Sequence, residues 1–221
     1  MTESLSQAIE TLQRSRSMLE PVLASFEKRV AQFGADPRSA FWKDEEWQKR
    51  RYDILSRLFD EPDRLGGISI TDFGCGYGAF FDYLADRPVM KNSRYTGIDM
   101  SAAMIEEANA RIRDSRASFQ SHLTATETAD YTVVSGTYNM NLGANRDEWA
   151  DYVKASLEQL WSKTTKAMGF NMLRFDAPDQ YPGLYYADGM EFVKFCNETL
   201  SPDITYTDDR PLPDWTIIIR R

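Results

Sequence analysis

The chain predicts an α/β fold: a seven-stranded, mostly parallel sheet finished by a C-terminal antiparallel hairpin and preceded by an N-terminal helical cap. Three observations predict it. From residue 68 onward, short apolar runs alternate with helix-competent segments, the pattern of parallel strands joined by crossover helices. The first of these runs, ISITDFGCGYGA over Ile68 to Ala79, opens directly into three alternating glycines and then a helix. The last two runs are separated only by Asp208 to Pro213, too short for a parallel crossover, so they pair as an antiparallel hairpin.

The elements follow in order. Residues 1–65 read as helical, with Leu5, Ile9, Leu12, Leu19, Leu23, Phe26, Val30 and Phe33 recurring at three- and four-residue steps. Ser17 with Glu20 resembles a capping box and Pro21 suits a first turn, which splits this stretch into two helices near Ser15 to Ser17. Gly34 closes the second helix. A third helix over Lys43 to Phe59 carries Trp47, Ile54, Leu55 and Leu58 on one side, with Gln48, Arg51 and Tyr52 nearby. Strands are expected near 68–73, 94–98, 117–120, 130–136, 167–174, 203–207 and 214–220, with helices in most of the gaps. The organisation is a helical cap or lid over 1–65 and a sheet domain over 66–221.

Composition narrows the function. A chain of 221 residues, 42% hydrophobic, buries a substantial core as one elaborated domain. A formal net charge of −8 argues against a binder of nucleic-acid backbones, which needs clustered Lys and Arg. The basic run Lys49, Arg50, Arg51 sits beside Asp44, Glu45 and Glu46 and reads as a solvated, charge-balanced helix face. Two cysteines, Cys75 and Cys196, imply no disulfide framework and a reducing cytoplasm. With a single histidine, His122, and no ligand spacing around it, no metal is expected. No signal peptide or long apolar span is seen, so no membrane partner is expected.

The glycines locate the chemistry. Gly74, Gly76 and Gly78 permit a sharp turn at a strand's end, leaving the following helix N-terminus open to a ligand. Their G-x-G-x-G spacing, with Asp72 two residues ahead, fits poorly to the pyrophosphate fingerprint G-x-G-x-x-G. Downstream, RYTGIDMS is a short strand ending in Asp99, with Ser101 as N-cap of the next helix. A carboxylate there, a couple of dozen residues past the glycines, is placed to accept hydrogen bonds from both hydroxyls of a ribose.

DFGCGYG resembles the first motif of the class I S-adenosylmethionine-dependent methyltransferases, and the resemblance extends over roughly 66–221. It implies a Rossmann-like methyltransferase fold, S-adenosylmethionine as cofactor, and an N-terminal cap that varies within the family. On that resemblance Asp72, Gly74, Gly76 and Gly78 flank the cofactor, Asp99 binds its ribose, and Met100 flanks its adenine. Ser121 or His122, in FQSHL, takes the place of the aspartate often found after the third strand. Arg51 is expected at the cofactor's carboxylate, Ser135 and Gly136 at its sulfonium end, and Asn139 and Tyr138 at the reacting end. The acid-or-amide, Pro-Pro-aromatic motif of amine-directed members is absent. SGTYN stands there instead, resembling small-molecule methyltransferase-like proteins that also carry YTGID-type and GFN-type motifs. Trp42, Tyr52, Tyr138, Tyr185 and Tyr186 are the aromatic faces available to a sulfonium.

Each assignment has a plainer counterpart. Asn139 is equally a turn asparagine, here credited with orienting an amine or hydroxyl through its amide oxygen; Arg51 is equally a solvated helix arginine; most of the aromatics are packing residues. The expected activity is methyl transfer to a small-molecule acceptor. One alternative is intramolecular cyclisation of the cofactor to azetidine-2-carboxylate and methylthioadenosine, as in some relatives, since no general base stands out. Another is a non-catalytic cofactor-binding sensor. A monomer or homodimer is expected, the apolar seam of the first helices serving as lid or interface.

Overall fold

The computed structural model describes residues 3–42 and 45–221. Two helices, α1 (Glu3–Arg14) and α2 (Arg16–Phe33), lead into α3 (Glu45–Leu55). The sheet then begins: β1 (Ser69–Phe73), α4 (Ala79–Ala85), β2 (Arg94–Asp99), α5 (Ala102–Arg111), β3 (Ala117–Ser121) and β4 (Ala129–Ser135). It continues through α6 (Arg146–Ser162), β5 (Thr164–Arg174), β6 (Tyr186–Ala187), α7 (Gly189–Thr199), β7 (Asp203–Asp208) and β8 (Asp214–Arg220).

Strand order is β3-β2-β1-β4-β5-β8-β7, with β6 beside the end of β5. The first five strands are parallel, and β8 lies antiparallel between β5 and β7, as the short hairpin connection requires. An eighth strand, β6, went unpredicted because two residues carry no periodicity. The chain order reverses between β1 and β4, and α/β sheets bind ligands outside the carboxyl ends of strands at such a switch point. Register aligns those ends: Phe73 pairs with Ile98, Asp99 with Ser121, and Ser135 with Asn171.

Helices cover both faces. On one, Trp149, Val153, Leu157 and Leu160 of α6 join Phe192 of α7 over Phe170, Trp215 and Ile217, and Ala8 and Leu12 of α1 close the layer. On the other, Tyr52 and Leu55 of α3 and Phe80, Phe81 and Leu84 of α4 pack on Ile70, Tyr131 and Val133. Leu55, Leu58 and Leu84 are fully buried, each worth about 2 kcal/mol by area.

Three expectations about the cap are corrected. Ser17 and Glu20 form no capping box and Pro21 lies inside α2, because helical hydrogen bonding runs across the joint: Ser15 N–H bonds Thr11 O and Leu19 N–H bonds Ser15 O. The Leu19 N–H, one that a Ser17 cap would serve, is already bonded in this way. The third helix is α-helical only to Leu55 and tightens into a 3-10 turn over Ser56–Leu58; its expected start at Lys43 lies outside the described residues. Arg51 is buried rather than solvated. Gly34 does close α2, its N–H on Val30 O. Among the described residues, no helix is long and apolar enough to cross a membrane.

Candidate active site

Gly74 leaves β1 at φ 77°, and a Cβ there would lie 2.1 Å from Thr137 Oγ1, so the Thr137 side chain from the loop after β4 packs directly on the backbone of the turn after β1. Only glycine allows that approach in a left-handed conformation. Gly76 N–H donates to Asp99 Oδ2 and Ser101 N–H to Asp99 Oδ1, both at 2.9 Å. The glycine turn and the β2 carboxylate therefore form one rigid unit, and each carboxylate oxygen keeps a lone pair for a further donor. Ser101 caps α5 by accepting from Met104 N–H, as expected. Gly78 faces away: it opens α4, and a side chain there would strike Ile112 and Phe119, so it serves packing and not the cavity wall.

This unit forms one wall of a cavity lined by Asp72, Gly74, Gly76, Asp99, Met100, Leu123, Ser135 and Gly136, roofed by Leu19, Val22 and Phe26 of α2 and by Trp42. Asp72 is 2% exposed and accepts a hydrogen bond from the Tyr95 hydroxyl. Burial pushes its carboxyl up to about 7, against that hydrogen bond, and the nearby Asp99 charge adds to the rise. Burial likewise raises Asp99, opposed by the N–H groups of Ser101, Gly76 and Met100. Two desolvated carboxylates beside aromatic walls favour a ligand bearing positive charge. Ser135 Oγ is buried in this wall with no hydrogen-bond partner among the described residues, so a polar ligand group has a waiting contact.

A second, larger cavity of about 950 Å³ adjoins the first. Phe26, Ala40, Trp42 and Gly136 line both. A Cβ at Gly136 would lie 2.4 Å from Trp42 Cη2, so the indole packs directly against the loop at the junction. Beyond it the walls are Phe41, Trp47, Met140, Leu173, Leu184 and Tyr186, with Asn139, Arg51, Arg174 and Arg210 as polar members.

Several expected site residues take other places. Tyr138 is fully buried and faces α6, its hydroxyl 2.7 Å from Ser156 Oγ; it lines neither cavity and is withdrawn from the reacting end. The positive φ of Gly136 turns the chain after β4, so strand alternation no longer predicts which side chain faces the site. Tyr185 also lines neither cavity. Ser121 and His122 are exposed at the end of β3, where His122 N–H donates to Asp99 O; Leu123 reaches the cavity instead. Asn139 lines the larger cavity, but its Oδ1 already accepts from Leu173 N–H at 3.0 Å, so the amide oxygen is not the group it offers.

Arg51 lines the larger cavity and is claimed by Asp214, Nη2 to Oδ2 at 2.5 Å, with its guanidinium 4.6 Å from the Trp42 ring. Its Nε and Asp214 Oδ1 have no hydrogen-bond partner among the described residues. Asp209, also buried, accepts from Thr216 and is pushed up to about 6 chiefly by burial. Sequence reading missed Asp209, Asp214, Tyr77, Thr137 and Tyr152. It named Gln48 without a role, although Gln48, Arg51, Tyr52 and Leu55 share the three- and four-residue spacing that marks one buried helix face.

Residues 71–160 match the family model described as a methyltransferase domain. A protein of Mycobacterium tuberculosis named "Putative methyltransferase Rv1506c" is 35% identical over 157 residues, spanning 70% of this chain and 93% of that protein. The fold resembles the DhpI complex with S-adenosylhomocysteine (TM-score 0.60, 14% identity, 92% of this chain and 96% of that one). It also resembles magnesium protoporphyrin IX methyltransferase of Synechocystis with the same ligand bound (0.59, 14%, 80% and 83%). Human N-acetylserotonin methyltransferase with S-adenosylmethionine is a third (0.64, 13%, 98% and 65%).

Proposed function

The chain belongs to the class I S-adenosylmethionine-dependent methyltransferases, and on that premise we propose that it methylates a small-molecule acceptor held in the larger cavity. The observation that carries the reading is the pair of adjoining cavities meeting at Trp42 and Gly136: one walled by the glycine turn, Asp72 and Asp99, the other apolar and roomy. The residues present fit S-adenosylmethionine. Asp99 offers one free lone pair on each oxygen to the ribose hydroxyls, Met100 flanks the adenine, and Asp72 and Ser135 stand where a cationic, polar amino-acid end needs partners. The bound cofactor supplies an electrophilic methyl on a sulfonium.

The chain's own work is alignment and exclusion of water. Leu19, Val22 and Phe26 of α2 roof the cofactor cavity, giving the N-terminal helices the role of a lid. Trp42, which lines both cavities at the junction, is the aromatic side chain available to the sulfonium. Both cysteines are free and buried, which supports a reducing, cytoplasmic setting. The cyclisation reading draws no support from a cavity of about 950 Å³ beside the cofactor site, since an intramolecular reaction needs no second chamber. Mass spectrometry of the nucleoside product, with and without an acceptor panel, tests the proposal. Adenosylhomocysteine formed only with acceptor is the expected outcome; methylthioadenosine formed without acceptor refutes it.

A further inference from the structure

The cofactor cavity holds two buried carboxylates, Asp72 and Asp99, and among the described residues that line it none is Lys, Arg or His. S-adenosylmethionine brings a carboxylate of its own into this wall. Arg51, the residue expected at that group, lines the other cavity and is ion-paired to Asp214. The cofactor's ammonium and carboxylate sit on one carbon, so with the ammonium at Asp72 the carboxylate needs donors close beside that acid. Those donors are neutral ones.

The wall beside Asp72 supplies them. Gln48 and Tyr52 stand one turn apart on the same face of α3, and Tyr77 lies in the glycine turn. All three line the cavity and are only 4%, 6% and 5% exposed. The Tyr77 hydroxyl donates to Gln48 Oε1 at 3.4 Å, which orients the amide and leaves its NH2 without a partner among the described residues. The Tyr52 hydroxyl has no hydrogen-bond partner there either, and its ring is held by Phe80 and Tyr83, with centroids 4.9 and 5.5 Å away. Burial pushes the Tyr52 phenol well above its usual range, and the neighbouring Asp72 and Tyr77 add to the rise, so the hydroxyl keeps its proton and remains a donor. Most main-chain donors of the turn are taken: Gly74 and Cys75 N–H by Ile98 O, Gly76 N–H by Asp99 and Gly78 N–H by Cys75 O. The first N–H groups of α4 are the main-chain alternative.

Resting on the methyltransferase reading above, we infer that Gln48 and Tyr52 of α3 hold the α-carboxylate of S-adenosylmethionine, the Gln48 side-chain NH2 and the Tyr52 hydroxyl each donating to it beside Asp72. The carboxylate is recognised through neutral donors on a buried helix face and not through an ion pair. The same helix serves both chambers, since Trp47 and Arg51 of α3 line the larger cavity.

The test is calorimetric titration of the full chain with S-adenosylmethionine and with its decarboxylated analogue, which differs only in lacking the carboxylate. Wild type binds S-adenosylmethionine at least tenfold more tightly, although an acid-lined wall by itself favours the analogue with its larger positive charge. Tyr52→Phe and Gln48→Leu each weaken S-adenosylmethionine by about tenfold and leave the analogue within about twofold. Without ligand, Tyr52→Phe melts with wild type, because the hydroxyl has no partner to lose. A wild type that prefers the analogue, or either variant weakening both ligands alike, overturns the inference. So does S-adenosylmethionine affinity unchanged in either variant, which leaves the carboxylate to the main-chain N–H groups of α4. Wild type that binds neither ligand removes the cofactor reading itself, whereas S-adenosylmethionine binding that ignores its carboxylate removes only the role of Gln48 and Tyr52.

Discussion

Asp72→Asn, compared with wild type across pH, isolates what the buried carboxylate contributes to cofactor binding. Burial lifts Asp72 from 3.8 to about 7, a cost to the ionised form on the order of 4 kcal/mol. In the free protein the carboxyl is then ionised in roughly one molecule in thirty at pH 5.5 and about nine in ten at pH 8. A ligand whose cationic end rests on this wall binds the ionised form better, so wild-type affinity for S-adenosylmethionine rises with pH through about 7. The rise between pH 5.5 and 8 is bounded at roughly thirtyfold, with close to one proton released per molecule bound near pH 6. Without cofactor the sign for stability is opposite. The folded carboxyl holds its proton more tightly than the unfolded one, so this contribution is full below about 4 and is lost as pH rises to about 7. Calorimetric titration in paired buffers of different ionisation heat measures affinity and proton release together. Asp72→Asn flattens the profile near the low-pH affinity. A flat wild-type profile, or the same slope in Asp72→Asn, refutes the role.

Three other substitutions have definite outcomes. Asp99→Ala weakens cofactor affinity by about ten- to a hundredfold and also lowers the melting temperature, because Gly76 and Ser101 N–H lose their acceptor; unchanged affinity by calorimetry removes the ribose assignment. Arg51→Met strands the Asp214 charge in the interior and costs about 3–5 kcal/mol in denaturant unfolding, while Arg51→Met with Asp214→Asn recovers most of it; a single variant as stable as wild type contradicts the buried pair. Tyr138→Phe loses about 1 kcal/mol with the Ser156 hydrogen bond and leaves kcat and KM unchanged; a drop in kcat restores Tyr138 to the reacting end.

The sheet was legible because its central strands are short, near-continuous apolar runs set between helix-competent segments, and because the Asp208 to Pro213 connection leaves only one way to pair β7 with β8. That Asp99 lies beside the glycine turn was legible as well, since a strand end and the next strand's end are neighbours in a parallel βαβ unit; the hydrogen bond from Gly76 N–H to its carboxylate was not. What the sequence hides is contact made across the fold. Arg51 meets Asp214 over a separation of 163 residues, and although helical spacing puts Arg51 on a buried face, nothing local to either residue identifies the other as its partner. Which of Tyr138 and Asn139 faces the site depends on one positive φ at Gly136, and the use of Asn139 Oδ1 depends on β5. The Ser17 capping signal failed because tertiary packing of Leu12 and Leu19 holds the joint helical, against the local preference.

The grip of the glycine turn and Asp99 on an adenosyl ligand is tested most directly by a crystal structure with adenosylhomocysteine. The account predicts both ribose hydroxyls within about 3 Å of the Asp99 oxygens, the amino-acid end beside Gly74 and Asp72, and adenine against Met100. A ligand lodged elsewhere, or a ribose that makes no contact with Asp99, contradicts it.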